Sequence, residues 1–464
     1  MTGFNSKVGF AIVGLSLSLA MISAQAFAAP APAPAPAVPP AIASTPALPG
    51  LTLADAVGIA LSRNRDVIAA KMEIEAAELD VVAARVYPNP SLQYTLGNLI
   101  LGSANPQDGH LTSQPGTFGQ AVHAVGIAEI VDVWSKRSAR IQAASRGVEQ
   151  RRYLTEDALR EIVFAVRSGF ADVLRAQSER DMAKDMAARY AETVRLSQAR
   201  FRAGDIAESE LRKIELEGLR YQNAVIDTEL QLDVGRHHLA ILLGLGEAAQ
   251  LPGERLVEPE ARTTFDLESL VAAALERRPD LKAAGAAQTA GQARLTAAER
   301  DAYPDLTVGA TYTHSSFTIS GDNPNSLALT LGLPLPLFDR NQANIGRARL
   351  DIHRAENDVM RLRLAVENDV AQAVRKARRS QALLAVFERP GTGASATATA
   401  DPGGMLARAE TAVKVAEKAY KAGAISLLEL LDAQRTYLDT RGQFLRAVHD
   451  SRQAAIDVAH AVGE

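Results

Sequence analysis

A helical hairpin occurs twice in this sequence, and the repetition constrains the fold more than any other feature. The stretch Ala419–Asp432 forms the second copy, and ranges 201–244 and 420–463 align without a gap. Gly204 and Gly423 each follow a periodic apolar run, where a left-handed helix C-cap favours glycine. The sequence therefore predicts one architecture made twice, with each half ending in a tight helical hairpin.

The first 50 residues indicate export. Lys7 precedes an apolar run that is followed by small residues, so we predict a signal peptide over residues 1–28, cleaved after Ala26 or Ala28. Alanine and proline dominate residues 29–50, which predicts an extended linker. The chain has no cysteine and a net charge of −4, which excludes disulfides and predicts no nucleic-acid partner.

Each half contains the same series of elements. The first repeat covers residues 51–250 and the second covers 265–464, and each opens with a helix, the first running from Leu51 to about Val86. Apolar residues then alternate with small or polar ones, which predicts strands at about 91–102, 118–131, 306–319 and 326–335. Strands of this length could cross a bilayer or form the edge of a soluble sandwich.

Long helices follow each pair of strands. No proline interrupts residues 137–201, and one helix of that length would span about 100 Å at about 1.5 Å per residue. In the second half apolar residues recur every seven positions, which predicts a coiled-coil seam through Ile345, Ile352, Val359, Val366 and Ala373. A segment rich in Pro, Gly, Ala and Thr, at about 388–404, predicts an inserted loop in the second long helix.

Four strands are too few for a transmembrane barrel, since about eight is the smallest workable number and an open edge in lipid leaves backbone groups unsatisfied. If the strands cross a membrane, several copies must pool them. Their long helices then also pool, as a tube. The predicted fold is mainly α with a small β part: a coiled-coil helical barrel and a β-barrel completed by several copies.

The sequence resembles the TolC-like outer-membrane efflux proteins, and within them the heavy-metal branch. The resemblance spans about Leu51 to Gly463. It rests on the doubled Leu-Thr-Leu-x-x-Ala opening with Tyr-Pro, the doubled Arg/Lys-x-Gly hairpin, the stretch Leu428–Gln434 and the stretch Lys136–Ile141. It implies a homotrimer with a twelve-stranded barrel in the bacterial outer membrane, a helical tunnel in the periplasm, an adaptor protein and a proton-driven RND-type inner-membrane pump.

The resemblance also implies a function without catalysis. We expect an exit duct, with no enzyme activity, cofactor or metal site, that passes heavy-metal cations. A duct for drugs or organic compounds, a type I secretion duct and a soluble periplasmic coiled-coil adaptor or scaffold remain alternatives. An adaptor would have one hairpin and β domains at the chain ends. This sequence has two hairpins, and its predicted strands lie inside each half, which disfavours the adaptor.

Candidate functional residues lie near the hairpins. Glu429 and Asp432 share one helix face and match the acidic rings of the family, so we expect them to line the pore. The resemblance implies that Tyr420 bonds across to Glu210. In the family a basic residue also bonds across between hairpins, and this sequence has Ile425 at that position.

Two further sets of residues complete the predicted sites. Hairpin tips expose backbone and small side chains to partners, which favours Ala203, Gly204, Asp205, Ala422, Gly423 and Ala424 as the adaptor contact. Trp134 and Phe338 follow the second strand of each pair, where aromatic residues of a membrane interface are expected, and ordinary packing is the alternative.

Overall fold

The computed structural model describes residues 51–98, 121–246, 265–315, 323–388 and 404–464. The predicted signal peptide, the linker and all but the ends of the inserted loop lie outside these residues. Among the described residues, no helix has both the length and the apolar character needed to cross a membrane.

The two halves have the same order of elements, except that two helices in the second half take the place of one long helix in the first. The first half comprises α1 (Leu53–Arg63), α2 (Arg65–Arg85), β1 (Ser91–Gly97), β2 (Val122–Val131), α3 (Lys136–Ala203) and α4 (Glu208–Leu242). The second comprises α5 (Leu267–Arg277), α6 (Pro279–Asp301), β3 (Leu306–Ser315), β4 (Asn325–Gly332), α7 (Gln342–Glu388), α8 (Met405–Lys421) and α9 (Leu427–Val462). The expected long uninterrupted helix is α3, which has 68 residues.

The prediction of one helix from Leu51 to Val86 was wrong, because the chain breaks at Asn64. The Asn64 Oδ1 accepts hydrogen bonds from the amides of Asp66 (2.8 Å) and Val67 (3.2 Å), which caps α2. Its Nδ2 donates to the Leu242 carbonyl at the end of α4 (2.8 Å). A tertiary contact that local propensity cannot reveal therefore fixes the break.

Arg278 makes the equivalent break in the second half. Pro279 takes the first position of α6, where its missing N–H is not needed. The Arg278 guanidinium bonds Asp280 (2.6 Å) and Asp369 (3.2 Å) and donates to the Ala461 carbonyl at 3.5 Å. At the break between its first two helices, the first half thus has the neutral side chain of Asn64, and the second half has the charged side chain of Arg278.

A glycine next to each break brings two backbones close together. Gly244 has φ +68°, and a Cβ built on it would lie 2.5 Å from the Arg63 carbonyl oxygen. Gly463, its repeat partner, has φ +99° and lies against Arg278. Glycine is required at both places for its conformation, and at Gly244 also for space.

Each half has its own apolar core below its break. In the first half, α1, α3 and α4 enclose Phe170, Leu174 and Leu239. In the second half, α5, α7 and α9 enclose Val366, Val370 and Val458. The predicted seam lies on the covered side of α7: Ile352, Val366 and Ala373 are buried, and Ile345 and Val359 are half-buried.

The four strands form one antiparallel sheet in the order β1-β2-β3-β4, and the β2–β3 pair joins the two halves. One face is apolar, and its cross-strand rows include Leu92–Ile127–Ala310–Leu329 and Tyr94–Val125–Tyr312–Leu327. The opposite face is small and polar, as in the row Gln93–Gly126–Thr311–Ala328. The apolar face lies open, and Leu329 is 81 % exposed.

Candidate functional site

The two hairpin tips have almost the same backbone. Gly204 and Gly423 adopt φ +84° and +73°. In the first tip the Asp205 amide donates to the Arg200 carbonyl (2.9 Å), and in the second the Ala424 amide donates to the Ala419 carbonyl (2.9 Å). All six candidate docking residues are exposed: Ala203, Gly204, Asp205, Ala422, Gly423 and Ala424.

Tyr420 lies between the hairpins rather than on the surface. It is 3 % exposed, and its hydroxyl lies 3.4 Å from the Ser197 Oγ of α3. The Arg200 guanidinium lies 5.4 Å from the ring centroid. The half-buried Glu210 makes no hydrogen bond to Tyr420 among the described residues. In this single chain the Tyr420 hydroxyl faces Ser197, and its bond to Glu210 stays a prediction.

Glu429 and Asp432 are both exposed in the first turns of α9. The Ser426 hydroxyl donates to the Glu429 Oε1 (3.3 Å), and the Glu429 amide donates back to the Ser426 Oγ (3.3 Å). The Ser426 side chain thus caps α9 and holds the Glu429 carboxylate at the helix start, where the helix dipole favours an anion. Ile425 is half-buried beside the cap.

An aromatic cluster beneath the tips joins the hairpins. The rings of Tyr190 and Tyr221 are tilted against each other with centroids 4.8 Å apart, and Val413, Leu430 and Tyr437 belong to the same apolar cluster. Burial raises the pKa of the Tyr190 phenol well above its usual range, and the Glu217 charge adds to the effect. The Tyr190 hydroxyl is therefore protonated and neutral at physiological pH.

Trp134 and Phe338 occupy the ends of the strand pairs nearest the long helices. Trp134 stacks on Tyr303 with centroids 4.9 Å apart. Phe338 is 91 % exposed. Two residues before Trp134, the Asp132 carboxylate accepts from the amides of Trp134, Lys136 and Arg137 (3.2, 2.9 and 2.7 Å). This cap holds the turn from sheet to helix in one geometry.

Comparison with known proteins identifies the family. The sequence profile described as "Outer membrane efflux protein" matches residues 56–245 and 270–400. This chain belongs to the outer membrane efflux protein family. The family consists of ducts rather than enzymes.

Individual relatives of this outer membrane efflux protein have different named roles. The cobalt-zinc-cadmium resistance protein CzcC of Cupriavidus metallidurans is 26 % identical and covers 89 % of this chain and 90 % of its own. The pyoverdine export outer membrane protein OpmQ of Pseudomonas putida is 26 % identical, covering 88 % of this chain and 84 % of its own. The open-state outer membrane channel MtrE of Neisseria gonorrhoeae has the same fold, with a TM-score of 0.66 at 18 % identity, covering 89 % and 88 %.

Sequence reasoning missed several residues at the site of this efflux protein. The Arg435 Nη2 reaches across from α9 to the Glu217 Oε1 of α4 (3.2 Å). Gln434 is 1 % exposed within the joined hairpins. The Ser426-x-x-Glu429 spacing is a helix-capping signal that can be read from the sequence. The contacts of Ser197 and Arg435 have no such sequence signal, because their partners are distant in the chain.

Proposed function

We propose that this chain is one subunit of an outer-membrane exit duct that extends into the periplasm. The observation that carries the proposal is the open apolar face of a four-stranded sheet attached to very long helices. In water such a face would promote aggregation, because contiguous exposed apolar patches associate with one another. In a bilayer it is the surface that contacts lipid, and Trp134 and Phe338 stand where interfacial aromatics belong.

The sheet and the helices both support assembly as a homotrimer. β1 and β4 each pair on one side only within the described sheet. Because they are antiparallel, β4 of one copy can pair with β1 of the next, and three copies give twelve strands. An exposed apolar stripe along α4, through Leu219, Ile226, Leu230, Val234 and Ile241, offers neighbouring copies a helical contact.

A matched pair of substitutions in β4 tests the membrane assignment. Leu329 and Ala328 are adjacent, exposed and on opposite faces. We expect Leu329→Arg to cost about 2–4 kcal/mol in the membrane and to reduce the yield of assembled protein in the outer-membrane fraction. Ala328→Arg, on the proposed lumen face, should assemble normally. Equal yields of both variants would contradict the proposal and favour a soluble periplasmic protein.

The partners proposed for the duct are a periplasmic adaptor and a proton-driven RND-type inner-membrane pump. The exposed, rigidly capped tips at Gly204 and Gly423 support an adaptor contact, because small residues in a fixed turn present backbone to a partner. Heavy-metal cations are the proposed cargo, supported by similarity to the cobalt-zinc-cadmium resistance protein. The equal identity to a pyoverdine export protein makes export of organic compounds the second candidate.

Glu429 and Asp432 are proposed to restrict the pore and favour cations, with Tyr420 and Glu210 as gate residues. In a trimer the two exposed carboxylates would form a ring of six charges. We expect Glu429→Ala with Asp432→Ala to reduce cation selectivity and to weaken block by divalent cations such as Co²⁺ in planar-bilayer recordings. Asp439→Ala, an exposed carboxylate further along α9, is the control. Unchanged selectivity and block in the double variant would refute the assignment.

A further inference from the structure

The four described strands carry all of their ionisable side chains on one face of the sheet. Side chains alternate between the two faces of a strand, so the cross-strand register assigns each residue to a face. The ionisable residues all fall on the apolar face, and they are Tyr94, His123, Glu129, Tyr312 and His314. Within the described strands the opposite face has no ionisable side chain.

This opposite face is lined by hydroxyls, one amide and small side chains, and we call it the hydroxyl face. Its central cross-strand rows are Ser91–Ala128–Gly309–Thr330, Gln93–Gly126–Thr311–Ala328 and Thr95–Ala124–Thr313–Ser326. A hydroxyl group can both donate and accept a hydrogen bond. The face therefore offers hydrogen-bond partners to hydrated cations and to hydrated anions alike.

Two threonines of the hydroxyl face lie across glycines of the neighbouring strand. A Cβ built on Gly126 would lie 2.7 Å from the Thr311 Oγ1, and one built on Gly309 would lie 2.6 Å from the Thr330 Oγ1. Each threonine is the direct cross-strand partner of its glycine. The hydroxyl thus takes the space that a side chain of the partner would fill, which keeps the polar groups close to the backbone and the face shallow.

Charged residues outside the strands are distant from the centre of the hydroxyl face. At the helical end of the sheet, Asp132 and Asp305 lie beyond the ends of β2 and β3. The row at that end contains Gly332, which is four residues from Ala328, or about 14 Å at about 3.4 Å per residue. The Debye length is about 8 Å at physiological salt, so these charges are largely screened at the row of Ala328.

We propose that the hydroxyl face is a lumen wall without fixed charge, which passes hydrated cations and hydrated anions alike. The inference rests on the proposed function, because the hydroxyl face lines the lumen only if the apolar face contacts lipid. A charged wall would concentrate solutes of the opposite sign through its electric field, and the described strands supply no such field. Any preference of the duct for cations then arises elsewhere, as at the carboxylates proposed to restrict the pore at the hairpin end.

A single cysteine can report the electrostatic potential of the wall, because the sequence has no cysteine of its own. Ala328→Cys places a thiol on the hydroxyl face, and Leu329→Cys places one on the apolar face. The full-length variants in outer-membrane vesicles are treated with two small methanethiosulfonates, one bearing a trimethylammonium group and one a sulfonate group. Loss of free thiol gives each rate, which is divided by the rate of the same reagent with free cysteine.

We expect the normalised rates of the two reagents at Ala328→Cys to agree within about twofold. Neither reagent should modify Leu329→Cys. Thr311→Asp, added as the direct cross-strand partner of Ala328→Cys, should make the cationic reagent faster by about fivefold, because a carboxylate then lies beside the thiol. Thr311→Asn is the uncharged control and should leave the ratio near one. If Ala328→Cys does not assemble, Thr95→Cys on the hydroxyl face of β1 is the reporter.

Unequal normalised rates in the absence of Thr311→Asp, differing by more than about twofold, overturn the inference alone. A ratio that Thr311→Asp leaves unchanged also overturns it, since the charge of the wall would then not govern the local potential. Failure of the proposed function gives a different pattern, in which Leu329→Cys reacts as fast as Ala328→Cys because both faces are in water. That pattern overturns the inference and the proposed function together.

Discussion

Replacing Gly244 by alanine is expected to destabilise the first half by about 2–5 kcal/mol. A left-handed backbone costs a residue with a Cβ about 1–2 kcal/mol, and forcing extra atoms into a packed site costs about 1–3 kcal/mol. Both apply, because φ is +68° and the new Cβ would lie 2.5 Å from the Arg63 carbonyl oxygen. Loss of helical circular dichroism on heating should therefore occur at a clearly lower temperature than in the wild type.

Substitutions at two other glycines distinguish the cost of the left-handed backbone from the cost of the close contact with Arg63. Gly204 has φ +84° with open space around a built Cβ, so Gly204→Ala should cost only the left-handed strain of about 1–2 kcal/mol. Gly147 lies within α3 with open space, so Gly147→Ala should stabilise the helix by up to about 1 kcal/mol. Equal losses at Gly244 and Gly204 would show that the close approach to Arg63 contributes nothing.

The second large effect is expected at Arg278. Its side chain is 7 % exposed and binds Asp280, which is 16 % exposed. Arg278→Met removes the cation and leaves that carboxylate nearly buried, and breaking a buried pair in this way costs about 3–5 kcal/mol. Unfolding monitored by circular dichroism in denaturant measures the loss. Arg278→Asn should cost less, because Asn64 shows that an asparagine at the equivalent break can cap the following helix.

The defect at Arg278 should depend on pH with a defined sign. Burial raises the pKa of the Asp280 carboxyl, but bonds to Arg278 and its charge bring it below the ordinary value of 3.8. The stabilisation is present above that value and is lost as the pH falls through the folded-state pKa. The gap between wild type and Arg278→Met should thus narrow below about pH 4. A gap that is constant with pH would show that the variant acts through packing alone.

Much of the fold follows from periodicity and from glycine and proline placement. The absence of proline from 137 to 201 predicted α3, the heptads through Ile352 and Val366 predicted the covered side of α7, and Gly204 and Gly423 marked both tips. These signals come from residues that are close together in the chain, so they can be read from a single sequence. The breaks at Asn64 and Arg278 are different, since each depends on a carbonyl at the end of a helix about 180 residues away. Pro279 was a readable helix-start signal that the sequence analysis did not use.

The candidate site was less predictable than the fold. The tip residues and the shared face of Glu429 and Asp432 follow from spacing within one hairpin. The environment of Tyr420 does not, because Ser197 belongs to the other half and nothing in its neighbourhood marks it as a partner. The contact between Asp172 of α3 and His449 of α9 was not predictable for the same reason, because the two residues are far apart in the chain.

The pairing of β2 with β3 also sets the order in which this molecule can fold. Partners such as Val131 and Leu306 are far apart in the chain, so their contact requires closure of a very large loop. The helical hairpins close small loops and should form early. Until they bring the two short strand pairs together, each pair is a two-stranded ribbon, which is marginal in water. We expect the apolar face to be completed last, immediately before the chain inserts into the membrane.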